Sequence, residues 1–187
     1  TFDTCDAMGA NFINSILELV ARLFKEKSED LKLEIIMSIL SNYTPNCLVR
    51  AQLSCPISEL EDPKLGMSAK EFAKRFEYAV KISKADIYRA TTHNKGIMNG
   101  IDSVIMATGN DFRAVEASVH GYAARSGKYQ GLTEISLKDN FFHYTLEIPL
   151  ALGTVGGLTS LHPLAKLSLN MLENPSAKDL MKISASI

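Results

Sequence analysis

Neither sign of charge is in surplus in this sequence: 20 lysines and arginines face 21 aspartates and glutamates, a net charge of −1. Such a chain has no global field to draw in nucleic acid or an anionic membrane, and neither is expected as a partner. No stretch approaches the roughly eighteen uninterrupted apolar residues of a membrane-crossing helix. Asp3 and Asp6 stand where an export signal would carry basic residues. Cysteine is scarce. Cys5, Cys47 and Cys55 are odd in number and widely spaced, which argues against a disulfide framework and for reduced thiols in a cytoplasm. Each reads as a small buried hydrophobe. No metal is expected, because Cys47 and Cys55 lack the close spacing and companion histidines of a zinc site, and His93, His120, His143 and His162 are scattered. No Gly-x-Gly-x-x-Gly follows a strand, and Gly153–Ser160 lacks the Gly-Lys-Ser/Thr of a phosphate loop. Any nucleotide therefore needs another kind of turn. Repeats and low-complexity tracts are absent.

What is present is a soluble globular composition, 46% apolar and 22% charged. Its length suits one domain with a substantial core, or one domain and part of another. Phe12, Ile16, Leu19 and Leu23, with Ile13, Leu17, Val20 and Phe24, form a broad apolar face on a helix over Met8–Lys27. Leu31–Leu40 and Leu48–Ile57 read as two strands around the turn Asn42–Asn46. The polar linker Glu61–Gly66 precedes a helix opened by a Ser68/Glu71 capping box. A further helix follows Asp111 and ends at Ser126-Gly127. Leu132–Leu137 and Phe141–Leu150 pair antiparallel across Lys138–Asn140. Leu161–Leu172 is a helix with Pro163 in its first turn, and another helix starts at Ala177. The fold class is α+β. Residues 1–45 read as the back half of a small α+β domain, and 46–187 as part of a larger, mainly helical one with a central buried helix and an antiparallel strand pair.

Chemistry concentrates in Thr92–Asp111. Lys95 stands between Asn94 and Gly96 at the head of a nearly all-apolar helix, where an ordinary surface lysine's solvation is not expected. The plain alternative is a lysine that caps a turn. Ile97, Met98, Ile101, Val104, Ile105 and Met106 face almost every direction, which predicts burial on most sides. Gly109 and Asn110 end the helix by tolerating the left-handed conformation. Lys95 and Asp111 are then roughly 24 Å apart in one chain, and a site that uses both needs two chains. In Asp6–Asn11, Gly9 lets a ligand approach the backbone as it enters a helix, where amides and dipole favour phosphate; an N-cap with a glycine is the local alternative.

Three motifs, in order, resemble the hydroxymethylglutaryl-coenzyme A reductases, and their bacterial class II branch in particular. The first is Asp6-Ala7-Met8-Gly9-Ala10-Asn11. The second is His93-Asn94-Lys95-Gly96-Ile97-Met98-Asn99-Gly100-Ile101-Asp102, continuing through Thr108-Gly109-Asn110-Asp111 to Arg113-Ala114-Val115-Glu116. The third is Gly153-Thr154-Val155-Gly156-Gly157 with Leu161-His162-Pro163-Leu164-Ala165. The resemblance covers essentially the whole chain and assigns residues 1–45 to a cofactor domain. It lacks the family's upstream catalytic glutamate, the acidic residue that recognises the adenine ribose, and the downstream catalytic histidine. The chain is therefore expected to be an internal piece of the enzyme, inactive alone.

The resemblance implies interconversion of 3-hydroxy-3-methylglutaryl-coenzyme A and mevalonate, a step of isoprenoid metabolism. It proceeds by two hydride transfers with NAD or NADP, and coenzyme A is part of the substrate. Lys95 and Asp111 are implied as catalytic, the lysine stabilising the hemithioacetal oxyanion and the carboxylate orienting the partner chain's lysine in a homodimer. Arg89, Asn94 and Asn99 are implied at the substrate, Arg89 on its carboxylate. Asp6, Ala7, Met8, Gly9 and Asn11 are implied at the dinucleotide. The residues alone leave open a lysine Schiff-base enzyme and a catalytically silent dimerisation or binding module.

Overall fold

A computed structural model describes residues 2–28 and 31–187. It is α+β, with seven α-helices and one three-stranded antiparallel sheet among the described residues. The first helix, α1 (Ala10–Lys27), leads to a stretch that crosses to strand β1 (Leu48–Pro56). Two short 3-10 turns, Ile57–Leu60 and Pro63–Leu65, connect β1 to α2 (Ala69–Ala85). Then come α3 (Ile87–Ala107), α4 (Phe112–Ala123), β2 (Thr133–Lys138), β3 (Phe141–Pro149), α5 (Gly157–Leu161), α6 (Pro163–Met171) and α7 (Ala177–Ala185).

The expected hairpin forms. Asp139 and Asn140, both at positive φ (52° and 61°), make its two-residue turn. It is not a lone pair, however. β3 lies between β2 and β1, and β1 pairs with it from Leu48↔Pro149 to Pro56↔Phe141. The segment Leu31–Leu40, expected to be β1's companion strand, forms none: residues 33–40 have no regular secondary structure and pair with no strand among the described residues. A strand needs a neighbour for its N–H and C=O groups; β1 takes β3 on one edge, and among the described residues no strand lies on its other edge, so residues 33–40 do not use the partner open to them. The stretch is tied instead to α1, where the Leu40 N–H donates to Asn14 Oδ1 at 2.9 Å. The broad apolar face of α1 exists but is only partly covered: Phe2 meets Phe12 edge-on at a centroid distance of 6.5 Å and Ile13, Ile16 and Leu17 are half-buried, yet no α1 residue is buried and Phe12 stays 61% exposed.

The core lies between the sheet and the helices around α3, which packs on α2, α4, α6 and α7. Ile101, Ile105, Val115, Val119, Ile148, Leu150 and Leu180 are its fully buried aliphatic centre, each contributing on the order of 1.5–3 kcal/mol by leaving water. α2 reaches the sheet through Phe76, which meets Phe142 and Tyr144 edge-on at centroid distances of 5.5 and 5.6 Å. As expected, Ser68 caps α2, its hydroxyl accepting from the Glu71 N–H at 3.3 Å. The expected Leu161–Leu172 helix is broken at His162, the extended N-cap of α6, with Pro163 in the first turn. A proline clashes with the carbonyl four residues back and lacks the N–H that would continue α5. The helix after Asp111 stops at Ala123, ahead of the expected Ser126-Gly127. The three cysteines are free thiols, but Cys5 and Cys47 are exposed and Cys55 is only half-buried, so they are not the buried hydrophobes expected. No described helix is long and apolar enough to cross a membrane.

Candidate active site and cofactor turn

α3 does not start at the lysine. Asp86 caps it, its carboxylate accepting from the Tyr88 and Arg89 N–H groups at 3.3 and 3.2 Å. This adds two turns ahead of Lys95, which therefore sits within the helix and not at its head. Nor is α3 buried on most sides in this chain. Ala90, Asn94, Met98, Ile101, Ile105 and Thr108 form one buried stripe at helical spacing. The opposite side, with Lys95, Asn99 and Met106, is exposed. Lys95 belongs to none of the ion pairs among the described residues, so its ammonium faces solvent, contrary to the expectation of restricted solvation.

Asn99 follows Lys95 by one turn and shares its exposed face. Arg89 is also exposed but lies about 120° round the helix from Lys95, at 100° per residue. Asn94 is different. It is fully buried; its Nδ2 donates to the Gln130 carbonyl at 2.9 Å and its Oδ1 accepts from the Leu132 N–H at 3.0 Å. That amide holds the segment entering β2. His93, next to it, meets Thr133 of β2 through Nε2 at 2.7 Å. Burial, with the charges of Arg89 and Lys84 adding, pushes its imidazole below the ordinary value, which favours a neutral ring at pH 7.

Asp111 begins α4. Its carboxylate accepts from the Arg113 and Ala114 N–H groups at 3.1 and 3.3 Å, and the Arg113 guanidinium pairs with it at 3.3 Å. Partial burial pushes this carboxyl up; the Arg113 side-chain hydrogen bond, the Ala114 amide and the Arg113 charge outweigh it and hold the group below its usual value. α3 runs unbroken from Lys95 to Ala107, roughly 18 Å of rise, so within one chain the lysine and this carboxylate do not meet. Between them, Asp102 of α3 lies against Glu116 of α4. Burial, then the Glu116 charge and a hydrogen bond to it, push the Asp102 carboxyl up to about 6. Its Oδ1 is buried without a partner.

The Asp6–Gly9 turn feeds α1 through Gly9 at φ 81°. A Cβ on Gly9 would stand 2.3 Å from Thr4 Cγ2, so glycine is required both for conformation and for space. No side chain caps α1, and its first turn holds no acidic residue, which leaves the leading amides open to an anion. Asp6 serves the turn itself. Its Oδ1 accepts from the Ala177 N–H at 2.8 Å, and its carbonyl accepts from the Thr154 and Val155 N–H groups at 2.8 and 3.3 Å. The glycine-rich turn thus packs on the Asp6–Gly9 turn, and a cleft of about 440 Å³ opens between Asp6, Val155 and Ser176. Ala7 and Met8 form the middle of the turn, and Asn11 is exposed on the first turn of α1.

Three features went unread in the sequence. The Asp102/Glu116 pair was hidden because fourteen positions and two helices separate its members. The His93–Thr133 contact joins elements forty positions apart. The sequence predicts that Gly109 and Asn110 both stop the helix, but only Gly109, at φ 72°, adopts the left-handed conformation. The Asn110 side chain instead bonds Gly153 twice, Nδ2 to the carbonyl at 3.0 Å and Oδ1 from the N–H at 2.8 Å. An asparagine between a helix-ending glycine and an N-cap aspartate was the available signal.

The family model described as hydroxymethylglutaryl-coenzyme A reductase matches residues 1–187. The chain is 39% identical over 187 residues to 3-hydroxy-3-methylglutaryl-coenzyme A reductase of Archaeoglobus fulgidus, covering 99% of this chain and 40% of that protein. It is 38% identical to the probable reductase of Borreliella burgdorferi, covering 99% of this chain and 42% of that one. Among solved structures, the class II reductase of Streptococcus pneumoniae bound to NADPH in open conformations superposes with TM-score 0.88 at 40% identity, over 98% of this chain and 44% of its own. The chain thus spans about two fifths of the length of the curated relatives it matches.

Proposed function

The chain belongs to the hydroxymethylglutaryl-coenzyme A reductase family, and from that premise we propose that the full-length protein interconverts 3-hydroxy-3-methylglutaryl-coenzyme A and mevalonate, a step of isoprenoid metabolism. In the reductive direction the thioester gains two hydrides and two protons, releasing coenzyme A thiol and leaving a primary alcohol. The observation that carries the reading is the pairing, within one family match, of an open α1 N-terminus behind Gly9 with Lys95 and Asn99 on one exposed face of α3.

The residues present fit a dinucleotide. The uncapped first-turn amides behind Gly9 suit a pyrophosphate, and Asn11 can donate beside them. Asp6 lines the neighbouring cleft, and Ala7 and Met8 continue the same turn toward α1. The nicotinamide cofactor, NAD or NADP, supplies the hydride when bound. The Lys95 ammonium is aimed at the thioester oxygen, where negative charge develops as the hemithioacetal forms; in a site closed to water this stabilisation is worth far more than in solvent. Asn99 hydrogen-bonds the substrate from the same face, and Arg89 takes its free carboxylate. Asn94, with both amide ends committed to backbone, is assigned to holding the β2 approach and not to substrate.

Asp111 serves Lys95 of a second chain in a homodimer. The separation along α3 supports this, as does the exposed face carrying Met106, 57% exposed beside the polar stripe. We place residues 1–45 in the cofactor domain and 46–187 in the substrate domain. The free thiols support work in a reducing cytoplasm.

The test is substrate-dependent loss of reduced nicotinamide absorbance by full-length protein. Wild type is expected to turn over. Lys95→Ala is expected to lose hydride transfer, about 10²–10³-fold as for an oxyanion donor, while dinucleotide affinity stays within a few fold. An inactive wild type, or equal loss of dinucleotide binding in Lys95→Ala, overturns the assignment.

A further inference from the structure

We propose that Asn110 is a positioning residue that sets the distance between the dinucleotide turn and the catalytic carboxylate. The proposal rests on the reading of Asp6–Gly9 as the dinucleotide turn. Asn110 stands between Gly109, which ends the run-out of α3, and Asp111, which caps α4. Its side-chain amide forms a two-point pairing with the backbone of Gly153, donating to the carbonyl at 3.0 Å and accepting from the N–H at 2.8 Å. Its second Nδ2 hydrogen goes to Thr108 Oγ1 at 3.1 Å, and Thr108 is itself fully buried. Every hydrogen-bonding atom of the side chain is therefore used, and each bond is to a group fixed by other contacts.

Gly153 passes the constraint on. A Cβ there would lie 2.6 Å from the Met8 nitrogen and 3.3 Å from the Ala7 carbonyl carbon, so its backbone lies flat on the Asp6–Gly9 turn. Thr154 and Val155 then donate to the Asp6 carbonyl at 2.8 and 3.3 Å. The path from Asp111 to Met8 thus runs through one side chain and one glycine. No other residue type reproduces it: aspartate offers no donor when ionised, alanine offers nothing, and glutamine is a methylene too long for this pairing.

The experiment uses full-length protein, wild type, Asn110→Ala and Asn110→Asp. It measures dinucleotide Kd, the KM for each substrate, thermal unfolding, and amide hydrogen exchange at residues 6–9 and 153–155. Asn110→Ala is expected to weaken dinucleotide binding about ten-fold, the effect of leaving buried backbone groups unpaired, and to speed exchange at Gly153, Thr154 and Val155. The KM for the acyl-coenzyme A thioester should stay within about two-fold, since that substrate is held from α3. Asn110→Asp should bind the dinucleotide poorly at neutral pH. Relative to wild type at the same pH, it should recover as acid protonates the new carboxyl and restores a donor to the Gly153 carbonyl. A merely structural role would lower stability and weaken both substrates together; that result overturns the proposal, as does faster exchange with unchanged dinucleotide affinity. A wild type that binds no dinucleotide overturns the cofactor reading and the role of Asn110 with it, whereas the preceding outcomes overturn the role of Asn110 alone.

Discussion

Asp102 carries a carboxyl pushed up to about 6 by burial and by Glu116. In the unfolded chain it ionises at its ordinary value, so between that value and about 6 the folded state binds the extra proton. Stability contributed by this site is therefore present at low pH, falls as pH rises through that window, and stays low above it. Asp102→Asn removes the charge and can donate to Glu116 at any pH. It is expected to raise stability above pH 6 by about 1 kcal/mol, discounted for the solvent that reaches this half-buried group. No gain is expected at acid pH. Thermal unfolding of the two proteins across that range gives the answer; an equal gain at every pH would mean the pair shares no proton. Neither partner looks unusual alone, and their fourteen-residue separation gave the sequence no reason to join them.

Helix ends are where the elements of this chain take on chemistry. Asp111 is both the N-cap of α4 and the assigned partner of a lysine, and these roles can be separated. Asparagine caps a helix about as well as aspartate but carries no charge. Asp111→Asn should therefore unfold close to wild type, while Asp111→Ala should be less stable by about 1 kcal/mol. Both should lose reductase activity in the full-length protein. If Asp111→Asn keeps activity, the carboxylate is only a cap. The capping signals themselves were readable, as with Ser68 before α2. Asp86 gives the same signal, but the apolar run starts only at Ile97 and draws the expected helix start with it, which puts Lys95 at a helix head it does not occupy.

For the whole molecule, the length of α3 is the governing dimension. If Lys95 acts with Asp111 of a second chain, Lys95→Ala and Asp111→Ala subunits complement each other. Each mixed dimer then holds one intact site and one with both lesions, and should approach about half the activity of a wild-type dimer. Absence of recovery after verified subunit exchange would refute the shared site. The exposed apolar faces of α1 and α6, with Phe12, Phe24, Leu164 and Met171 open to solvent, belong to the same scale, since the chain spans only about two fifths of its relatives' length.

By itself the sequence determined the family, the α+β class, the hairpin across Lys138–Asn140, the glycine at the mouth of α1 and the lysine and carboxylate too far apart to pair in one chain. Each is a local matter, of motif, periodicity or rise per residue. Tertiary structure alone decided that β1 joins β3 while residues 33–40 pair with no strand among the described residues, that Asn94 turns inward and Lys95 outward on adjacent positions, that Asp102 meets Glu116, and that Asn110 grips Gly153. These depend on which surfaces meet when elements far apart in the chain pack. A side chain's neighbours across such a contact leave no trace in the residues beside it.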